Sequence, residues 1–134
     1  MIKIASGGEL SRIALALKSV FAEHDIVQTL VFDEIDSGIG GQVGNAVGEY
    51  LRQLGGCRQV LCVTHLATIA AQADVQYRVA KTVVEGRTIT SVTMLEGADR
   101  EEEIARMLSG SAESDTSRRH AAELLSNAAP RPVS

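Results

Sequence analysis

The sequence predicts an α/β fold with a parallel β-α-β core, a later β-hairpin and terminal helices. Two short apolar runs, over residues 27–32 and 60–63, have the length and composition of buried strands. A segment with helical periodicity separates them, which is typical of two parallel strands joined by a crossover helix. Two β-rich runs on either side of Glu85-Gly86 then predict the hairpin.

The composition and charge fit one ordinary domain and exclude several classes of function. The chain has 134 residues, of which 45% are hydrophobic and 22% charged, so it can bury a core. The formal net charge of −4 excludes a surface that is basic throughout, and any contact with DNA must therefore be local. No run approaches the roughly 20 apolar residues that span a bilayer. We therefore expect a cytoplasmic protein with no membrane partner, and Cys57 and Cys62 are too few for a disulfide scaffold.

The first predicted element is a helix over residues 7–23. Its apolar residues recur at three- and four-residue spacing and form one buried stripe. Ser6 and Glu9 supply a capping box at its N-terminus. Because Gly7 and Gly8 have no side chains to cover the free N–H groups of the first turn, this helix N-terminus can also bind an anion.

The next three elements form the β-α-β core. The strand over residues 27–32 is almost continuously apolar, which predicts a strand covered on both faces. A glycine-rich turn over residues 37–41 leads into an amphipathic helix that carries apolar residues from 43 to 54 and ends at Gly55. The run over residues 60–63 repeats the buried-strand signal, so the two strands should be parallel. They can be neighbours, about 5 Å apart, or can have one strand between them, about 10 Å apart.

The second half of the chain predicts a hairpin and helices. Apolar and polar residues alternate around the hairpin turn, and the later segments show helical spacing separated by a Ser-rich joint over residues 109–117. The predicted elements are a short helix over residues 66–73, strands over 76–84 and 87–95, and helices over 100–108 and 116–127. The tail around residues 130–132 should be frayed.

Chemically competent side chains follow both strands of the core. Asp33-Glu34 ends the first strand, and Thr64-His65 ends the second. In a parallel sheet, ligands bind beyond the carboxyl ends of the strands, so these side chains can face one site. Two acids suit Mg²⁺ and the activation of a water molecule, which favours phosphate chemistry.

Each of these residues also has a structural interpretation. Asp36 could cap the helix that follows it, and His65 could be a hydrogen-bonded histidine at a strand end. A capping box alone would explain Ser6 and Glu9. Only the order of the motifs favours a functional interpretation.

Three segments, in their order along the chain, resemble the motifs of an ABC-type ATPase head. Residues 5–12 (Ala-Ser-Gly-Gly-Glu-Leu-Ser-Arg) resemble the signature motif, residues 29–34 (Thr-Leu-Val-Phe-Asp-Glu) the Walker B motif, and residues 63–65 the switch histidine. The amino-acid sequences of the first motif and of residues 32–41 closely resemble the C-terminal part of the RecN family. These are bacterial double-strand-break repair proteins with SMC-like heads. Residues 103–110 and 120–125 extend this resemblance over nearly the whole chain.

The resemblance implies ATP and Mg²⁺ as cofactors. On the family pattern, Asp33 would hold Mg²⁺ through a water, Glu34 would polarise the water that attacks the γ-phosphate, and His65 would sense that phosphate. The signature residues Ser6, Gly7, Gly8 and Glu9 would contact ATP held mainly by a second head. The implied partners are therefore a second head in a homodimer and, through the full-length protein, DNA, in a cytoplasmic and nucleoid-associated location.

The family's phosphate loop, G-x-x-x-x-G-K-[ST], is absent from this sequence. We therefore expect the isolated chain to be inactive and to need an N-terminal Walker A lobe as a partner. On this interpretation residues 1–110 form the C-terminal lobe of the head, and residues 111–134 form the joint, the last helix and the tail. The chain also carries Gly40 where many ABC-type heads have an aspartate.

Two other hypotheses belong to different classes. The chain could be a non-enzymatic module that docks on a head or caps a dimer. It could also be a stand-alone Mg²⁺-dependent phosphohydrolase that uses Asp33, Glu34, Asp36 and His65.

Overall fold

The computed structural model describes residue 16, residues 28–110 and residues 114–128. The chain divides into two compact units, Met1–Gln72 and Ala73–Ser134. Apart from residue 16, the helix predicted over residues 7–23 lies outside the described residues, as do its capping box and the predicted frayed tail. None of the helices described is long and apolar enough to cross a membrane.

The first unit contains the predicted parallel β-α-β core. Strand β1 (Thr29–Asp33) leads through a turn to helix α1 (Gly41–Leu54), which is followed by strand β2 (Gln59–Val63) and the short helix α2 (Ala67–Ala70). The two strands pair in parallel, in a register that runs from Thr29 opposite Gln59 to Asp33 opposite Val63. The prediction of two parallel strands is confirmed, and the structure shows that they are direct neighbours.

One apolar cluster holds the first unit together. Helix α1 brings an apolar stripe onto one face of the two strands, as its periodicity predicts. The buried members of the cluster are Leu30, Phe32, Ile35, Val47, Leu51, Leu54 and Ile69.

No described residue packs on the opposite face of these strands. Burial alternates along β1, so Leu30 and Phe32 are buried whereas Val31 is 67% exposed. Leu61 and Val63 of β2 are also exposed. The expectation of strands covered on both faces is therefore wrong, because the two described helices pack their apolar residues on one face.

Helices α1 and α2 approach closely because two glycines of α1 leave room. A Cβ atom at Gly44 would lie 2.5 Å from Thr68 Oγ1, and one at Gly48 would lie 2.8 Å from Gln72 Cγ and 3.2 Å from the carbonyl oxygen of Thr68. These two glycines are therefore contact positions of the helix pair.

The second unit begins with the predicted hairpin. Strands β3 (Gln76–Val84) and β4 (Arg87–Leu95) pair antiparallel, with the bounds that the sequence predicts. The residues of the turn, Glu85 and Gly86, both have positive φ angles, of 50° and 74°. This backbone is typical of the two-residue turns that match the twist of a hairpin.

Two packed helices complete the second unit. Helix α3 (Gly97–Ser109) and helix α4 (Asp115–Asn127) contact each other. Ile104 and Ala105 of α3 and Ala121 of α4 are fully buried. Both helices are confirmed. The first starts earlier than its apolar spacing predicts, because its opening turn is polar.

A candidate site at the carboxyl ends of the parallel strands

The carboxyl ends of β1 and β2 form one edge of the sheet. Asp33 lies opposite Val63 in the register, and the backbone N–H of Glu34 donates to the Val63 carbonyl oxygen at 3.2 Å. The segments Asp33-Glu34 and Thr64-His65 therefore leave the sheet side by side, as the strand-end rule predicts.

The two acidic residues at the end of β1 are exposed to solvent. Asp33 lies on the open face of the strand, since its neighbour Phe32 points into the core. Glu34 has a φ of 53°, a left-handed backbone that is uncommon outside glycine and asparagine. A strained backbone at this point turns the chain sharply out of the sheet, and such strain is often found at functional sites.

Asp36 is the buried centre of this edge. It is only 1% exposed, and its Oδ2 atom accepts hydrogen bonds from the Thr64 hydroxyl, from the backbone N–H of His65 at 2.7 Å and from the backbone N–H of Leu66 at 3.2 Å. The Nδ1 atom of His65 lies 2.9 Å from the same oxygen. One carboxylate oxygen thus holds the whole turn that follows β2.

The environment of Asp36 keeps it ionised. Burial alone would raise the pKa of this carboxyl group, but the hydrogen bonds from Thr64 and from the His65 backbone, with the nearby imidazole, outweigh burial and lower the pKa below 3.8. A negative charge therefore persists beside His65 at neutral pH.

The interpretation of Asp36 as the cap of the following helix is wrong. The N-cap of α1 is Gly40, which has an extended backbone and no side-chain capping bond. The glycine-rich turn separates Asp36 from the first turn of the helix, so its carboxylate bonds to the segment after β2 instead.

His65 is held at one ring nitrogen and open at the other. Its side chain is 72% exposed, although Nδ1 contacts buried Asp36. A carboxylate can only accept hydrogen bonds, so this contact favours a proton on Nδ1. The Nε2 edge of the ring is therefore the edge that can meet a ligand.

The acidic residues do not form a self-sufficient metal cage. Within the described ranges, no group of three or more His, Cys, Asp or Glu side chains is placed to hold a metal ion. An exposed carboxylate such as Asp33 nevertheless fits the way proteins hold Mg²⁺, with one or two carboxylates and the remaining ligands from water and phosphate.

Cys62 lies beneath the edge, on the core side of β2. Burial, together with the negative charges of Asp36 and Asp33, raises the pKa of its thiol to about 12. The thiol is therefore protonated at neutral pH.

The structure brings together part of the predicted site. Asp33, Glu34 and His65 lie at one edge, whereas Ser6, Gly7, Gly8 and Glu9 lie outside the described residues. Sequence reasoning missed the link between Asp36 and the turn after β2. The signals for it were an aspartate just after one strand and a Thr-His pair just after the next.

Comparison with known proteins identifies the family. Several proteins named DNA repair protein RecN match the chain: that of Treponema pallidum (strain Nichols) is 53% identical over 125 residues, and that of Bacillus subtilis (strain 168) is 44% identical over 126. These alignments cover 93% and 94% of this chain. The chain corresponds to the C-terminal part of RecN. It spans 22% of the length of these RecN relatives, and no family model matches it.

A solved structure supports the fold. It comes from work described as the structural biochemistry of ATP-driven dimerization and DNA-stimulated activation of SMC ATPases, and it matches with a TM-score of 0.53 at 22% sequence identity. The match covers 69% of this chain and 55% of that chain. This RecN segment therefore has the α/β fold of an SMC ATPase head.

Proposed function

We propose that this chain supplies the Walker B, switch-histidine and signature residues of a RecN-type ATPase head. The main support is that the carboxyl ends of β1 and β2 are neighbours. A ligand at that edge can meet Asp33, Glu34 and His65 together. The RecN relatives and the SMC-like fold favour ATP as that ligand.

The roles follow from the chemistry of each side chain. Asp33 holds Mg²⁺ through a water, and bound Mg²⁺ neutralises part of the charge on the phosphates. Glu34 is exposed and would orient the attacking water. It would accept a proton from that water as the new phosphorus–oxygen bond forms, while the bond from the γ-phosphorus to the β,γ-bridging oxygen breaks and ADP leaves with the electron pair. His65 presents Nε2 to the γ-phosphate while Asp36 holds Nδ1.

The site needs two partners to work. The sequence has no phosphate loop, so an N-terminal Walker A lobe must bind most of the triphosphate. A second head of a homodimer supplies the complementary surface, on which Ser6, Gly7, Gly8 and Glu9 contact nucleotide. Contact with DNA belongs to the full-length protein, which acts in double-strand-break repair in the cytoplasm at the nucleoid.

The test is ATP turnover of this chain combined with the Walker A lobe of the same protein. Glu34→Gln keeps the shape of the side chain and removes the base, so turnover should fall by about 10²-fold or more. Glu49→Gln, the same change on an exposed face of α1, is the matched control and should leave turnover unchanged. Full turnover by the Glu34 variant would refute the assignment of the base.

A non-enzymatic docking module is the second candidate. The observation that favours it is the open apolar face of the parallel strands, where Val31, Leu61 and Val63 are about half exposed or more. Stable binding to the Walker A lobe, with no ATP turnover in the mixture, would support this candidate over the ATPase head.

A further inference from the structure

Asp36 connects the acidic end of β1 to the histidine at the end of β2. It follows Glu34 closely in the chain, and its hydrogen-bond partners lie 28 to 30 residues further on. We propose that Asp36 is a positioning residue, which fixes the turn after β2 and holds the His65 ring with Nδ1 inward and Nε2 outward. The catalytic consequence rests on the proposed function, whereas the geometric claim does not.

The burial of Asp36 requires its partners. A carboxylate that is almost fully buried loses most of its hydration, which is unfavourable unless charged or polar donors replace the lost water. The Thr64 hydroxyl and the backbone N–H groups of His65 and Leu66 are such donors. Because they belong to consecutive residues, satisfying this one oxygen sets the backbone of the whole turn.

The same oxygen selects the form of the His65 ring. Nδ1 lies 2.9 Å from an acceptor that has no proton to donate, so the neutral ring carries its proton on Nδ1. Nε2 then accepts a hydrogen bond from a water, and in the doubly protonated ring it donates one to a phosphate oxygen. Asp36 therefore determines which chemistry His65 offers to a ligand.

The second oxygen of Asp36 makes a conservative variant possible. Among the described residues, Oδ1 has no hydrogen-bond partner. In Asp36→Asn the amide oxygen can replace Oδ2 as the acceptor, with the NH₂ group at the Oδ1 position. This variant keeps the acceptor and removes the charge, whereas Asp36→Ala removes both.

The test is ¹⁵N NMR of the histidine ring nitrogens in this chain, at an alkaline pH where the rings are neutral. His65, assigned by its loss in a His65→Gln variant, should be the Nδ1–H tautomer in the wild-type chain. It should become mainly the Nε2–H tautomer in Asp36→Ala and return toward Nδ1–H in Asp36→Asn. Asp33→Asn removes a charge at the same edge without touching the Asp36 contact and should leave the tautomer unchanged.

Either of two results would overturn the inference: an Nε2–H tautomer in the wild-type chain, or a tautomer that does not respond to Asp36→Ala. The tautomer of the wild-type chain is measured without any variant, so the inference can be refuted even if Asp36→Ala does not fold. In the head combined with its Walker A lobe, Asp36→Ala should lower kcat by about 10-fold or more with little change in KM. If Asp36→Ala had a normal kcat while Glu34→Gln lost its turnover, the positioning role of Asp36 would be overturned and the proposed function would remain intact.

Discussion

At the scale of single residues, the hydrogen bonds of one buried carboxylate determine the shape of the candidate site. Asp36 is 1% exposed, and its Oδ2 atom accepts hydrogen bonds from the Thr64 hydroxyl and from two backbone N–H groups. The same oxygen contacts the His65 ring at Nδ1. Asp33 and Glu34 are exposed and can reach a ligand. The acidic residues of this edge thus differ in burial. The buried one, Asp36, is the positioning residue, whereas Asp33 and Glu34 face solvent.

Asp36 should make stability depend on pH in a defined direction. Its pKa lies below 3.8 in the folded chain, so its ionised form stabilises the fold at pH values above the unfolded pKa. That contribution should be complete above about pH 5 and should be lost as the pH falls through the folded pKa.

Urea denaturation of wild type and Asp36→Asn at a series of pH values measures this contribution. The free-energy difference between the two should be largest near neutral pH and should shrink below pH 3.8. A difference that stayed constant over this range would mean that the charge of Asp36 does not stabilise the fold.

At the scale of elements, the first unit depends on the close contact of α1 with α2. Gly44 and Gly48 lie one helical turn apart on α1, and both face the segment that begins at Thr68. Leu66, whose backbone N–H donates to Asp36, also has its Cδ1 atom 3.2 Å from the Cβ position at Gly44. The helix contact and the turn held by Asp36 therefore share Leu66.

Alanine at either glycine should destabilise the chain despite its better helix propensity. Ala favours a helix interior over Gly by about 1 kcal/mol, but overpacking a tight contact costs about 1–3 kcal/mol. We expect a net loss for Gly48→Ala, whose Cβ would lie 3.2 Å from a backbone oxygen that cannot rotate away. Gly41→Ala is the matched control, since nothing lies within 4 Å of its Cβ position, and it should be neutral or stabilising. Equal unfolding midpoints for the Gly48 and Gly41 variants would contradict the close-contact account.

Local patterns predicted the elements better than they predicted the contacts between them. The hairpin has the predicted bounds because its turn and the alternation on both sides are local signals. The short helix α2 has four residues, against the longer segment over 66–73 that apolar spacing suggests. Burial of β1 on one face could not be inferred, because a run of apolar residues does not say which element covers it.

The candidate site was predictable only in part. The strand-end rule brings Asp33, Glu34 and His65 to one edge from their positions alone. The role of Asp36 was not predictable, because its partners are distant in sequence and depend on the register of the two strands. The domain boundary after residue 110 and the roles of the signature residues stay predictions.

At the scale of the whole molecule, the chain corresponds to one part of a longer protein, RecN. It spans 22% of the length of its RecN relatives and shares its fold with an SMC ATPase head. It has the acidic pair and the histidine of the proposed site but no phosphate loop. The proposed activity therefore belongs to an assembly.

The proposed site is divided between this chain and a Walker A lobe, so ATP turnover should require both. The isolated chain should hydrolyse no ATP, and activity should appear on addition of the Walker A lobe, measured as release of inorganic phosphate. Hydrolysis of phosphate esters by the isolated chain, if lost on Asp33→Asn, would instead support the stand-alone phosphohydrolase.

The central claim is that Asp33, Glu34 and His65 face one bound triphosphate and its metal ion. Paramagnetic broadening by Mn²⁺-ATP tests it most directly, in the head assembled from this chain and its Walker A lobe. Broadening should be strongest at these three residues and should fall off along β1 and β2 toward Thr29 and Gln59, roughly 13 Å away at the other end of the strands. Broadening that was strongest at the amino ends of the strands, or uniform along them, would contradict the account.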